Sequence, residues 1–75
     1  MKPEFKGYYE AFGLNVAFYR KRKRLTQVQL ADLVGVDRSH ISAIEVGKVG
    51  ASFDLIFTLS TVLEVSAKQL FDFRE

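Results

Sequence analysis

The sequence predicts an all-α domain of five short helices. Three observations carry that expectation. Apolar residues recur at three- and four-residue spacing along most of the chain, the period of a helix with one buried face. β-Branched residues are scattered and never alternate with polar ones over the length of a strand. Thr26, Asp37, Ser52 and Ser66 each stand just before an apolar run, where the first N–H groups of a helix need a side-chain acceptor.

The elements follow in order. The first helix ends at Arg20-Lys21-Arg22-Lys23-Arg24, cations that suit the negative end of a helix dipole. Phe12, Val16 and Tyr19 form its inward stripe. Its start is open, because Gly7 and Gly13 are poor helix formers and Pro3-Glu4 can begin an earlier turn. Thr26 opens the second helix; Gln29 completes a capping box, and Leu25 and Leu30 form a hydrophobic staple. This helix runs to about Val34, and Gly35 supplies the left-handed residue that ends it. Asp37 caps a third helix that continues to about Glu45, with Val36 and Ile41 as its staple. Gly47 and Gly50 mark the next loop. Ser52 caps a fourth helix, roughly Phe53 to Leu63, with Ile56, Leu59 and Leu63 inward. Ser66 and Gln69 make a second capping box, stapled by Val65 and Leu70, and the last helix reaches Phe71 or Asp72.

Length and composition narrow the function. Seventy-five residues suit a single domain over 1–75. A core this small hides only ~60% of the surface of the unfolded chain, so a staple or a partner is expected. There is no Cys, and the one His is His40, which excludes disulfides and a Cys/His metal cage. No cofactor and no metal are expected. Apolar residues are interleaved with charge throughout, so neither a membrane span nor a signal peptide is read, and the expectation is a soluble cytoplasmic protein. Paired carboxylates, metal-ligand spacing and a phosphate-cradling glycine loop are missing, which argues against an enzyme.

Net charge is only +2, but it is unevenly spread. Residues 20–48 hold seven Lys/Arg and three Asp/Glu, while the remainder holds four basic and six acidic residues. That asymmetry points to one basic face. Within it lie two short helices joined at Gly35, with Ala31 small where they must approach closely. Ile41 and Ile44 anchor the later helix from one side, leaving Arg38, Ser39, Ser42 and Ala43 outward. Small, polar and basic residues on an outward helix suit a DNA major groove.

Here the chain resembles the Cro/C1-type (XRE-like) helix-turn-helix family. The likeness is carried by Arg20, Leu25-Thr26-Gln27, Leu30-Ala31, Val34-Gly35-Val36, Ile41-Ser42, Ile44-Glu45 and Gly47-Lys48, then by Leu59, Leu63, Val65-Ser66 and Leu70-Phe71. It covers about residues 12–71 and implies a lambda-repressor-like domain whose second and third helices form the helix-turn-helix. Asp37-Arg38-Ser39-His40-Ile41-Ser42 followed by Ile44-Glu45 is most similar to the controller proteins of restriction–modification systems.

The resemblance also implies roles. Gln27, Thr26 and Lys48 would contact DNA phosphates. Arg38, Ser39 and Ala43 fall on base-reading positions, and His40 and Ser42 on the same helix are further base-reading candidates. Arg38 could fork onto guanine O6 and N7, whereas Ala43 offers only an apolar contact, for instance to a thymine methyl. Arg20 and Glu45 match a buried structural ion pair. Three residues depart from the family pattern: Val46 stands where a polar residue is common, Ala51 replaces a common Pro, and Arg24 replaces a common Gly.

An apolar excess remains. Phe53, Leu55, Phe57 and Val62 lie off the inward stripe of the fourth helix, and Phe71 and Phe73 add aromatic surface. These six are the expected homodimer interface, since one small core can hardly cover every face. Leu14 and Phe18 form a second stripe that Phe5, Tyr8 or Tyr9 could cover. The resulting expectation is a sequence-specific transcriptional regulator, dimeric on double-stranded DNA, with RNA polymerase as a further candidate partner and no small-molecule ligand. The alternative is the same fold used as a protein-interaction module, such as an antitoxin or an anti-regulator.

Overall fold

The computed structural model describes residues 1–73, and among them every regular element is helical. A 3₁₀ turn at Pro3–Phe5 leads into α1 (Lys6–Arg22), α2 (Gln27–Val34), α3 (Arg38–Glu45), α4 (Phe53–Leu63) and α5 (Ala67–Leu70). Pro3 at the first position of the turn uses its fixed φ to begin the helical path, and α1 then absorbs both Gly7 and Gly13.

The caps form where the hydroxyls stand. Thr26 Oγ1 accepts from the Gln29 N–H at 3.0 Å, and Gln29 Oε1 accepts from the Thr26 N–H at 2.8 Å. Ser66 and Gln69 repeat the exchange at 3.1 and 2.9 Å, and Ser52 Oγ accepts from the Leu55 N–H at 3.2 Å. Asp37 differs. It holds the N-cap position of α3 in extended backbone, but its side chain accepts no capping bond. Its charge still lies at the positive end of the helix dipole.

Gly35 closes α2 with φ of 80°, the left-handed geometry expected of it. Arg24 shares that region at φ of 59°, which explains why glycine is common at this position in the family. The last helix is shorter than the sequence suggests and stops at Leu70. Asn15 Nδ2 donates to the Leu70 carbonyl at 2.9 Å and to the Asp72 carbonyl at 3.1 Å, so α1 captures the chain as it leaves α5.

One hydrophobic core joins the helices, with Val16, Leu30, Ile41, Ile44, Leu59, Leu63 and Leu70 fully buried. Ala31 is buried beside them, as close packing of α2 on α3 requires. The α1–α3 crossing is tighter still. A Cβ on Gly13 would run into the Ile44 carbonyl oxygen and sit 2.6 Å from the Glu45 carbonyl oxygen. Glycine is therefore retained inside α1 for contact with α3, against its helix propensity.

Two expectations about apolar surface change. Leu55 is 8% exposed and belongs to the core of the subunit, not to an outward patch, and Val62 is half-buried against that core. The reason is that α4 packs on α1, α2 and α5 together, so its buried arc is wider than a single stripe. Phe73 is also half-buried, its ring stacked on Tyr8 at 6.1 Å. Leu14 and Phe18 stay uncovered, because Phe5 and Tyr8 turn toward each other and Tyr9 lies against Gly50.

Candidate nucleic-acid interface

The core dictates what α3 presents to solvent. Ile41 and Ile44 have no exposed surface, which locks the rotation of the helix about its axis. Arg38, Ser39 and His40 are consequently exposed across its first turn, and Ser42 and Ala43 are half-buried on its flank. The turn before it is rigid. The N–H groups of Gly35 and Val36 both donate to the Ala31 carbonyl, at 2.9 and 3.0 Å. At the other end of α3 the Lys48 N–H donates to the Ala43 carbonyl at 2.9 Å, leaving the Lys48 side chain exposed.

A buried ion pair ties this unit to α1. Arg20 Nε donates to Glu45 Oε2 at 2.7 Å, and Arg20 Nη2 donates to Glu45 Oε1 at 3.0 Å. Arg20 Nη1 donates to the Leu25 carbonyl at 2.9 Å, so one guanidinium holds the end of α3 and the loop before α2 together. Its hydrogen bond to Glu45 holds the Arg20 pKa above the ordinary value, against the opposing pull of burial.

Gln27 joins the same network, donating from Nε2 to Glu45 Oε1 at 3.0 Å. Sequence reasoning missed this bond, since 18 residues separate the partners and no local pattern marks the pairing. One amide hydrogen of Gln27 is thereby engaged, and one remains. Thr26 is exposed with its oxygen accepting from Gln29, and its hydroxyl hydrogen is not used in that bond.

The basic run that ends α1 and enters the following loop is sorted by its neighbours. Arg22 lies over the Tyr19 ring at 4.7 Å, and Lys23 Nζ is 3.3 Å from Glu64 Oε2. Of the residues assigned to a subunit interface, Phe53 and Phe57 are 76% and 56% exposed with their rings stacked at 6.2 Å, and Phe71 is 47% exposed.

Two short helices joined by a left-handed glycine, with the second pinned by its apolar face and its polar face free, define a helix-turn-helix unit. A family model described as Helix-turn-helix matches residues 16–70, and the chain belongs to that family, the Cro/C1-type (XRE-like) proteins. It is a non-enzymatic DNA-binding domain.

Similar proteins include the uncharacterized HTH-type transcriptional regulator YqaE of Bacillus subtilis, 34% identical over 59 residues that make 79% of this chain and 51% of the relative. The chain thus spans about half the length of that protein. An uncharacterized HTH-type transcriptional regulator of Methanocaldococcus jannaschii is 36% identical over 58 residues, 77% of this chain and 88% of the relative. Among solved structures, the restriction-modification controller protein C.AhdI from Aeromonas hydrophila superposes with a TM-score of 0.80 at 35% identity, over 84% of this chain and 96% of that one. The hypothetical transcription factor NHTF from Neisseria gives a TM-score of 0.81 at 28% identity, over 87% of this chain and 73% of that one. Among the described residues no helix is long and apolar enough to cross a membrane.

Proposed function

We propose that the protein is a sequence-specific transcriptional regulator that binds an inverted-repeat operator as a homodimer, in the role of a restriction–modification controller. The observation that carries the reading is α3 itself: Arg38, Ser39 and His40 exposed on a helix whose other face is fully buried. The likeness to the Aeromonas controller protein, which covers nearly all of that chain, supports the particular role.

In this reading α3 enters a major groove and presents Arg38 to a guanine edge, with Ser39, His40, Ser42 and Ala43 beside it. Thr26, Gln27 and Lys48 contact phosphates and set the register without reading sequence. The two recognition helices of a dimer would enter successive grooves ~34 Å apart. Exposed Phe53, Phe57 and Phe71 supply the dimer surface. Occupancy of the operator in the cytoplasm then blocks or recruits RNA polymerase. Dimerisation linked to DNA binding makes the response steep in protein concentration, with no small-molecule ligand required.

Selection of bound duplexes from a random DNA pool tests the proposal. Enrichment of an inverted repeat with half-sites about one helical turn apart is the expected result. No enrichment at low salt, from protein shown to be folded and helical, would overturn it in favour of a protein-interaction module.

A further inference from the structure

The last turn of α1 and the loop after it carry four consecutive cations, Lys21 to Arg24, and two of them are occupied within the chain. Arg22 covers Tyr19, and Lys23 pairs with Glu64. Lys21 and Arg24 have no side-chain partner among the described residues. Arg24 is further set apart by its backbone, whose φ of 59° lies in the region glycine occupies without strain and a long side chain does not. The chain keeps an arginine where glycine would relieve the fold.

The position of that arginine gives the strain a use. Arg24 lies two residues before the cap of α2, in a loop that Arg20 holds rigid through the Leu25 carbonyl. The N–H groups of Gln27 and Val28 in the first turn of α2 donate to nothing within the described chain. Gln27, which the family likeness assigns to a phosphate, has part of its amide committed to Glu45. Arg24 stands three residues before the first of these donors, and its exposed, unpaired guanidinium supplies positive charge that favours an approaching phosphate.

We infer that Arg24 is a DNA phosphate-contacting residue, held in a strained backbone conformation for its charge. The inference rests on the DNA-binding reading above.

The test uses the full chain and a duplex enriched by selection, with affinity measured by fluorescence anisotropy between 50 and 200 mM salt. Arg24→Gly is expected to melt at a higher temperature than the wild type and yet to bind more weakly. Its slope of log affinity against log salt should fall by about 0.9 for each Arg24, about 1.8 for the homodimer, so that the fourfold salt range costs it about 12-fold less affinity than the wild type. Arg24→Lys should keep most of the slope, and Lys21→Ala should change it less than Arg24→Gly does. Unchanged slope in Arg24→Gly overturns the inference, as does a lower melting temperature, which would make Arg24 structural. An equal loss in Lys21→Ala also overturns it, since the run would then act only as a diffuse field. A wild type that binds no duplex refutes the operator reading itself, whereas a binding wild type with an unaffected Arg24→Gly refutes this inference alone.

Discussion

Gly13→Ala sets two effects of opposite sign against each other. Alanine in the interior of a helix is favoured over glycine by about 1 kcal/mol, so α1 by itself would be stabilised. In the folded chain the new methyl meets the Ile44 carbonyl oxygen, the Glu45 carbonyl oxygen at 2.6 Å and the Glu45 carbonyl carbon at 2.8 Å. These are backbone atoms and cannot rotate aside. The Ile44 carbonyl also accepts from the Gly47 N–H at 3.1 Å, so turning it aside strains that bond, and separating the helices instead strains the Arg20–Glu45 pair. Overpacking of this kind costs typically about 1–3 kcal/mol, and a clash with two carbonyls at once belongs at or above the upper end. Net of the propensity gain, the loss is about 2 kcal/mol. For a domain of this size that lowers the Tm by roughly 8–16 °C. Thermal unfolding followed by circular dichroism measures it, with Gly7→Ala as the control. Nothing lies within 4 Å of a Cβ at Gly7, so that variant should gain about 0.5 kcal/mol from propensity alone. A Gly13→Ala protein as stable as Gly7→Ala would refute the close approach of α1 and α3.

Three other outcomes are expected. Glu45→Ala leaves Arg20 buried without its partner and should lower stability by about 3–5 kcal/mol in urea titration; a loss below 1 kcal/mol would mean that the pair is already solvated. Arg38→Ala should weaken operator binding by about 1–3 kcal/mol and relax the preference at one base pair per half-site, and uniform weakening over all sequences would make it a phosphate contact instead. Phe53→Asp, at a side chain 76% exposed, should leave the fold intact and shift sedimentation from dimer to monomer, and an unchanged sedimentation profile would place the interface elsewhere.

Where local chemistry decides an element, the chain is readable. Thr26 with Gln29, and Ser66 with Gln69, form the capping boxes that their three-residue spacing announces. The end of α2 at Gly35 is equally local, since a left-handed residue is needed there. The Arg20–Glu45 pair was readable only through family likeness, because the partners stand 25 positions apart in sequence. The Gln27–Glu45 bond was not readable at all. Leu55 was misread for a related reason: helical spacing identifies a stripe, but the number of neighbours around α4 determines how wide that stripe must be. The early stop of α5 coincides with Asn15, more than fifty residues upstream, taking the carbonyls of Leu70 and of Asp72 beyond it.

The amino-acid order by itself determines that five helices form, where most of them start and stop, and that a basic segment lies between residues 20 and 48. Those features depend on backbone N–H groups, hydroxyls and glycines within a few residues of one another. Tertiary structure alone decides which cations are free, why α1 carries a glycine at its midpoint, and which apolar side chains remain in solvent. Each depends on contacts between elements distant in sequence, as where α1 and α3 pass too closely for a Cβ at Gly13 or where Arg20 and Gln27 share the Glu45 carboxylate, and contacts of that kind leave no period in the sequence.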